Sequence, residues 1–281
     1  IYQFTHNSSV LFGYREIVED RGINRVIFPG GGVFFLSCFI AINKFTTVTR
    51  YKYVWLGFAL VGIVVIVLQV TRQQIFLLVL LYLVHLLKDL KLKYKILTVI
   101  LFVLASYAFL SSDNPISKGL AEQQKADASL GKDYIRIVAA EYFFNSFTPN
   151  IASKIFGNGV ANDTSSYGKY MVYLSESYGF FLSDVGVLEV YIMFGVFALL
   201  GYILILIKSF TLPLPPQYQY LKYYIWFIMA TSLTSDALIH PHYLIATVLV
   251  LYCYQSLYKW PETRFISDGV LNLNMIRSYY N

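Results

Sequence analysis

Six polar residues in an otherwise apolar chain have the types and placing to do chemistry: Arg72, Arg136, Asp184, Asp236, His240 and His242. Guanidinium groups match phosphate oxygens with a two-pronged fork, and two of them can clamp a diphosphate. Imidazole is the side chain best suited to take up a proton near neutral pH. Arg72 sits in Thr71-Arg72-Gln73-Gln74, a short polar break between two apolar runs. That forces it to the edge of any membrane, or slightly inside it, where an arginine needs a partner or a wet cavity. The plain alternative is an interfacial anchor that snorkels to water. Arg136 follows Asp133 by one helical turn, so a local ion pair competes with phosphate recognition. His240-Pro241-His242 holds two imidazoles around a proline that fixes the turn. His240 is favoured as the base, with Pro241 pointing the two rings in different directions. The alternative is an interfacial histidine that satisfies a carbonyl.

The elements that must position these residues follow from composition. The chain is 57% hydrophobic and 14% charged, against about 25% charged in soluble domains. Long apolar blocks recur at roughly 33–42, 53–70, 75–87, 96–110, 185–207, 223–234 and 243–258. They predict an all-α, polytopic bundle of about seven transmembrane spans. The first span is short and is expected to start nearer Val26. The whole chain reads as a single membrane domain, 1–281, with an outer segment over 1–29 and a tail over 259–281. A long polar insertion over 111–184, rich in Tyr and Phe, separates the fourth and fifth spans. It contains an amphipathic helical stretch around Arg136 and a glycine turn at Gly157-Asn158-Gly159.

Net charge is +6, which does not point to nucleic acid. The basic residues crowd into short loops: Asn43–Lys52, Lys88–Lys95, Lys208–Lys222 and the tail. The positive-inside bias makes those loops cytoplasmic. The 71–74 turn, the 111–184 loop and the 235–242 turn then share the outer face, as does the N-terminal segment, and with them all six residues. Arg25, Asp184 and Tyr178 join the candidate substrate-binding set on that face. Cys38 and Cys253 lie in apolar spans and indicate neither a disulfide framework nor a metal. Glu19-Asp20 reads as a solvated surface. No metal-ligand spacing occurs, and no cofactor is expected. His85 falls at the inner end of its span and is assigned no role.

The order of these features resembles the O-antigen ligase and polymerase superfamily of bacterial envelopes, and most closely its Wzy-type O-antigen or exopolysaccharide polymerases. An arginine stands in a tight outer turn. A long outer loop follows, with Arg136 ahead of Gly157-Asn158-Gly159, then Ser183-Asp184-Val185-Gly186 entering a span, then a histidine-bearing outer turn. The resemblance implies a metal-independent membrane glycosyltransferase of C-type architecture in the bacterial inner membrane, its site facing the periplasm. Its donor would be an oligosaccharide on undecaprenyl diphosphate, with a chain-length regulator as a further partner. Arg72 and Arg136 would bind the diphosphate, and His240 or His242 would activate the acceptor. Members of the family have more spans, so the chain is expected to be a C-terminal portion. Ligation of a finished glycan is the nearest alternative. A flippase or transporter is a second, for which internal repeats and Gly- or Pro-broken spans are expected; neither is read in the sequence.

Overall fold

The computed structural model describes residues 17–20, 23–26, 30–69, 71–88, 90–110, 131, 134–148 and 150–267. The fold is helical. Every apolar block becomes a helix: α1 (Gly31–Thr47), α2 (Lys52–Leu68), α3 (Arg72–Leu87), α4 (Leu92–Leu110), then α8 (Val187–Thr211), α9 (Gln219–Thr231) and α10 (Pro241–Ser267). Between α4 and α8 the insertion supplies α5 (Ile135–Asn145), α6 (Ile151–Phe156) and α7 (Ser166–Tyr178), closed by a 3₁₀ turn at Leu182–Val185.

The all-α class holds, with one addition and two corrections. Strands β1 (Ile17–Asp20) and β2 (Ile23–Val26) form a short antiparallel hairpin ahead of α1, with Ile17 opposite Val26. Val26 does not begin the first span; β-branched Ile23 and Val26 suit a strand, and α1 starts only at Gly31. The break at 71–74 is also shorter than expected. Arg72, Gln73 and Gln74 are the first turn of α3, with Thr71 as N-cap.

The main core joins α1, α3, α9 and α10. Phe35 and Phe39 of α1 pack on Phe227 of α9, with ring centroids 4.2 and 5.7 Å apart. Polar stitches then fix both ends of this bundle. At one end the buried His85 bridges Thr46 (2.7 Å) and the Tyr223 hydroxyl (3.1 Å), and Asn43 Nδ2 donates to the Gln217 carbonyl. His85 thus ties α3 to α1 and α9. At the other end Gln73 Nε2 donates to the carbonyls of Ala230 (3.0 Å) and Thr231 (3.3 Å). These are last-turn carbonyls of α9, which lack the regular donor four residues on and also accept from Leu233 N–H (3.4 Å) and Thr234 N–H (3.3 Å). Gln73 Oε1 accepts from Thr234 at 2.7 Å, and Gln74 donates to the Tyr243 hydroxyl at 2.8 Å. The start of α3, the end of α9 and the start of α10 are thereby one rigid rim.

A second, smaller core of Ala139, Phe143, Phe147, Leu174, Leu182, Val185 and Ile192 fastens α5 and α7 to the start of α8. Among the described residues, α8 is the one helix long and apolar enough to cross a membrane, while Gly31–Thr47, Lys52–Val67 and Arg72–Leu87 are apolar but shorter. Within α8 the backbone leaves helical geometry at Gly195, φ 75° and ψ −170°. A glycine break in this helix was not expected from the sequence. The rest of the chain gave no warning of it, because the groups that compensate it lie in the distant insertion.

Candidate functional site

The rim carries most of the residues singled out above. Arg72 occupies the first position of α3, whose N-cap Thr71 makes no side-chain bond to the first turn. An uncapped helix start presents backbone N–H groups and a partial positive charge, both favourable to an anion. The glutamines at 73 and 74 hold that turn against α9 and α10, so the position of Arg72 is imposed by its neighbours.

Arg136 lies in the first turn of α5, and its Nη2 stands 3.3 Å from Oδ1 of Asp184. The two residues are brought together by the second core, which packs Ala139 and Phe143 of α5 against Leu182 and Val185 of the 3₁₀ turn. Asp133, the local partner considered from sequence, lies outside the described residues. Both side chains of the Arg136–Asp184 pair are about two-fifths exposed, at 44% and 40%. Exposed pairs are worth about 0–1 kcal/mol, so an incoming anion can displace Asp184 at little cost.

His240 and His242 do not point apart. Their ring centroids are 4.5 Å apart in an edge-to-face arrangement. The reason is local. His240 is the N-cap of α10: its carbonyl accepts from Tyr243 and Leu244, and its Nδ1 accepts from the His242 backbone N–H at 3.2 Å. Pro241 fills the first helical position, where a missing N–H is harmless. The capping bond draws the His240 ring over the first turn and onto His242. Nδ1 being an acceptor, the neutral ring carries its proton on Nε2, which faces Asp236 Oδ2 at 3.8 Å. Nδ1 of His240 is therefore taken by the cap and its Nε2 lies near, but not within hydrogen-bond distance of, Asp236, whereas no hydrogen bond to a ring nitrogen of His242 occurs among the described residues. The floor beneath is close: a Cβ at Gly32 of α1 would stand 2.7 Å from Tyr243 Cα and 3.0 Å from the His242 carbonyl oxygen.

Burial pushes the Asp236 carboxyl above its usual range. Asp184 adds to that rise, while His240 and His242 oppose it. The mutual influence of Asp184 and Asp236 places the Arg136 pair and the histidine pair in one electrostatic field. Glu189 belongs to the same field, since it interacts with both aspartates. It is 5% exposed, and its Oε2 has no hydrogen-bond partner among the described residues. Glu189 is not among the residues singled out from the sequence; its sign there is an acidic residue four positions into the apolar run that begins at Val185, a placing that is costly unless used.

Tyr178 sits at the end of α7, half-exposed, its hydroxyl 3.4 Å from that of Tyr173. It belongs to an aromatic surface that also includes Tyr142, Tyr170 and Phe180, with the buried Phe147 behind Tyr170. Gly179, next in sequence, packs against Ile135, the neighbour of Arg136. Arg25 lies on β2, opposite Val18, with its side chain outside the described residues. Among the described residues no group of three or more His, Cys, Asp or Glu is placed to hold a metal ion. No family model, no curated protein and no solved structure matches the chain.

Proposed function

We propose that this chain is a membrane glycosyltransferase that polymerises oligosaccharide repeat units carried on undecaprenyl diphosphate, at the outer face of the bacterial inner membrane. The observation that carries the reading is that the Arg72 turn is docked on the ends of α9 and α10, where the Asp236–His240–His242 group lies, and that the Arg136–Asp184 pair shares an electrostatic field with that group. They come from four separate parts of the chain. A multi-pass bundle is supported by apolar side chains turned outward: Phe58, Val61 and Val64 on α2, and Leu200, Leu204 and Ile207 on α8 are all exposed. Exposed apolar belts of this kind suit lipid.

In the proposed reaction the arginines hold the donor diphosphate and stabilise the charge it gains on leaving. The acceptor sugar hydroxyl attacks the anomeric carbon of the donor. The carbon–oxygen bond to the diphosphate breaks, and the hydroxyl proton passes to an imidazole. We assign that role to His242 in place of His240, the residue favoured on sequence, because the His240 Nδ1 is taken up in capping α10. His240 and Asp236 then position it. The aromatic surface around Tyr178 offers ring faces and hydroxyls to sugars. The test is to incubate the full chain in vesicles with undecaprenyl-diphosphate-linked repeat units. Lengthening of the lipid-linked glycan supports polymerisation. Transfer to an added lipid acceptor without lengthening replaces it with ligation.

One observation favours the transporter reading: the break in α8 at Gly195, a feature of transport helices. In those helices the freed backbone groups line a binding cavity. Here the carbonyls of Ile192 and Met193 accept from Asn158 and Gly159 of the insertion. The break is used for anchoring, and polymerisation remains the preferred reading. Translocation of the labelled lipid-linked glycan with no change in its length would reverse that preference.

A further inference from the structure

The insertion between α4 and α8 is not confined to the outer surface. We infer that its segment 151–160 re-enters the bilayer beside α8 and presents its apolar side chains to lipid acyl chains. The inference rests on the membrane reading of α8.

The backbone fixes the depth. Asn158 N–H donates to the Ile192 carbonyl at 2.8 Å, and Gly159 N–H donates to the Met193 carbonyl at 2.9 Å. Those carbonyls lie five and six residues past Val187, where α8 begins, or roughly 8 Å along its axis. In a regular helix they would be taken by N–H groups four residues on. The glycine at 195 turns the chain out of that pattern, and the insertion supplies the donors instead. Close approach is built in on both sides. A Cβ at Gly195 would collide with the Ile155 carbonyl, and a Cβ at Gly157 with the Met193 carbonyl. Backbone meeting backbone at this level leaves no space for an intervening water layer.

The outward face of the segment is apolar. Ile151 is 75% exposed, Phe156 70% and Val160 67%. Phe156 lies beside Phe197 of α8, ring centroids 6.2 Å apart, and Phe197 is itself 62% exposed. One apolar surface therefore runs from the span onto the insertion without interruption. A single cation, Lys154, is exposed on α6, and a lysine stem can lie along apolar surface with its ammonium reaching the interface. At the start of α6 Asn150 Oδ1 accepts from Ser153 N–H at 2.8 Å and the Asn150 carbonyl accepts from Lys154 N–H at 3.3 Å. Each backbone donor paired within the protein lowers the cost of placing a short helix at membrane depth, where unpaired groups are expensive.

Single cysteines at Phe156, at Phe197 and at Lys169, an exposed position on α7, test the inference. They are made in the full chain with Cys38→Ala and Cys253→Ala and labelled with bimane. All three labelled sites are exposed, so the introduced cysteines leave the core intact; Cys38→Ala removes one buried sulfur atom and is common to all three proteins. The protein is placed in phosphatidylethanolamine–phosphatidylglycerol vesicles, with or without bromine at mid-chain on the acyl groups. Bromolipid should cause loss of emission at positions 156 and 197 and none at 169, while aqueous iodide should quench 169 alone. Quenching at 197 with position 156 responding only to iodide would overturn the inference and leave the membrane reading standing. Failure of bromolipid to quench 197 would remove both.

Discussion

Arg136 and Asp184 are 48 residues apart in the chain, and their side chains meet at 3.3 Å across the junction of the insertion with α8. The contact occupies one prong of the arginine's fork. If Arg136 receives the donor diphosphate, Asp184 is its competitor. Asp184→Asn should then tighten donor binding by up to about 5-fold, the equivalent of an exposed pair's roughly 1 kcal/mol. Titration of the variant with the diphosphate-linked donor measures this directly. Weaker binding would mean that Asp184 itself contacts the sugar.

Arg72→Lys should cripple polymer formation although the charge is kept. A lysine ammonium is a point charge and lacks the planar fork that matches two phosphate oxygens. The fold should survive, because Gln73 and Gln74 make the contacts that dock this turn. Polymer ladders from cells with equal membrane levels of both proteins give the answer. A wild-type ladder from the lysine variant would remove Arg72 from diphosphate binding.

The helices were legible because continuous apolar runs leave few alternatives; each became a helix within a few residues, except that α10 runs to Ser267, nine residues into the expected tail. Placement of Arg72, Arg136 and the histidines around polar breaks was legible for the same reason. Partner choice was not. Asp184 answers Arg136 only because Phe143 and Leu182 share a core, a long-range fact with no local sign. The ring directions of His240 and His242 were misjudged because proline geometry was weighed without the capping bond that His240 itself makes. The break at Gly195 depends on donors from Asn158 and Gly159, and a lone glycine in a span does not announce them.

Substitution of Gly195 or Gly157 by Ala should be strongly destabilising. Both have positive φ, at 75° and 79°, and the added Cβ meets backbone that cannot move aside. Backbone strain of this kind costs about 1–3 kcal/mol before the collision is counted. Gly201 is the control. It lies within α8 with open space around it, and Ala there should stabilise by about 0.4–1 kcal/mol. Thermal unfolding of the detergent-solubilised variants, followed by loss of the monodisperse species, should rank them in that order.

The Tyr142–Tyr170 hydroxyl pair, 2.5 Å apart on the surface of the insertion, has a pH signature. The bond to Tyr170 leads the causes that push the Tyr142 phenol up to about 12 from its ordinary 10. A phenol raised on folding contributes stability that is complete below about 10. That contribution is lost as pH rises through about 12. The difference in tyrosinate absorbance between wild type and Tyr142→Phe should titrate near about 12. Tyr170→Phe should bring that titration down toward the ordinary value. A difference curve centred at the ordinary value in the wild type would show that the pair does not form.

The two histidines can be separated by what each does in the fold. His240 caps α10 through Nδ1 and faces Asp236 through Nε2, so His240→Ala removes a cap worth about 0.5–2 kcal/mol. Asparagine is among the best N-cap residues, and His240→Asn should restore that stability while removing the imidazole. If His242 is the base, His242→Ala should lower the polymerisation rate by about 10²–10⁴-fold. It should leave donor binding near wild type, because the arginines still hold the diphosphate. His240→Asn should then keep much of the activity, its loss limited to the support that the His240 ring gives its neighbour. Asp236→Asn should follow His240→Asn, since Asp236 acts through His240. Measuring rate, donor binding and melting temperature on the four variants decides the matter. A folded His240→Asn protein without activity, beside an active His242→Ala protein, would return the base to His240, and wild-type rates from both would require a different group to activate the acceptor.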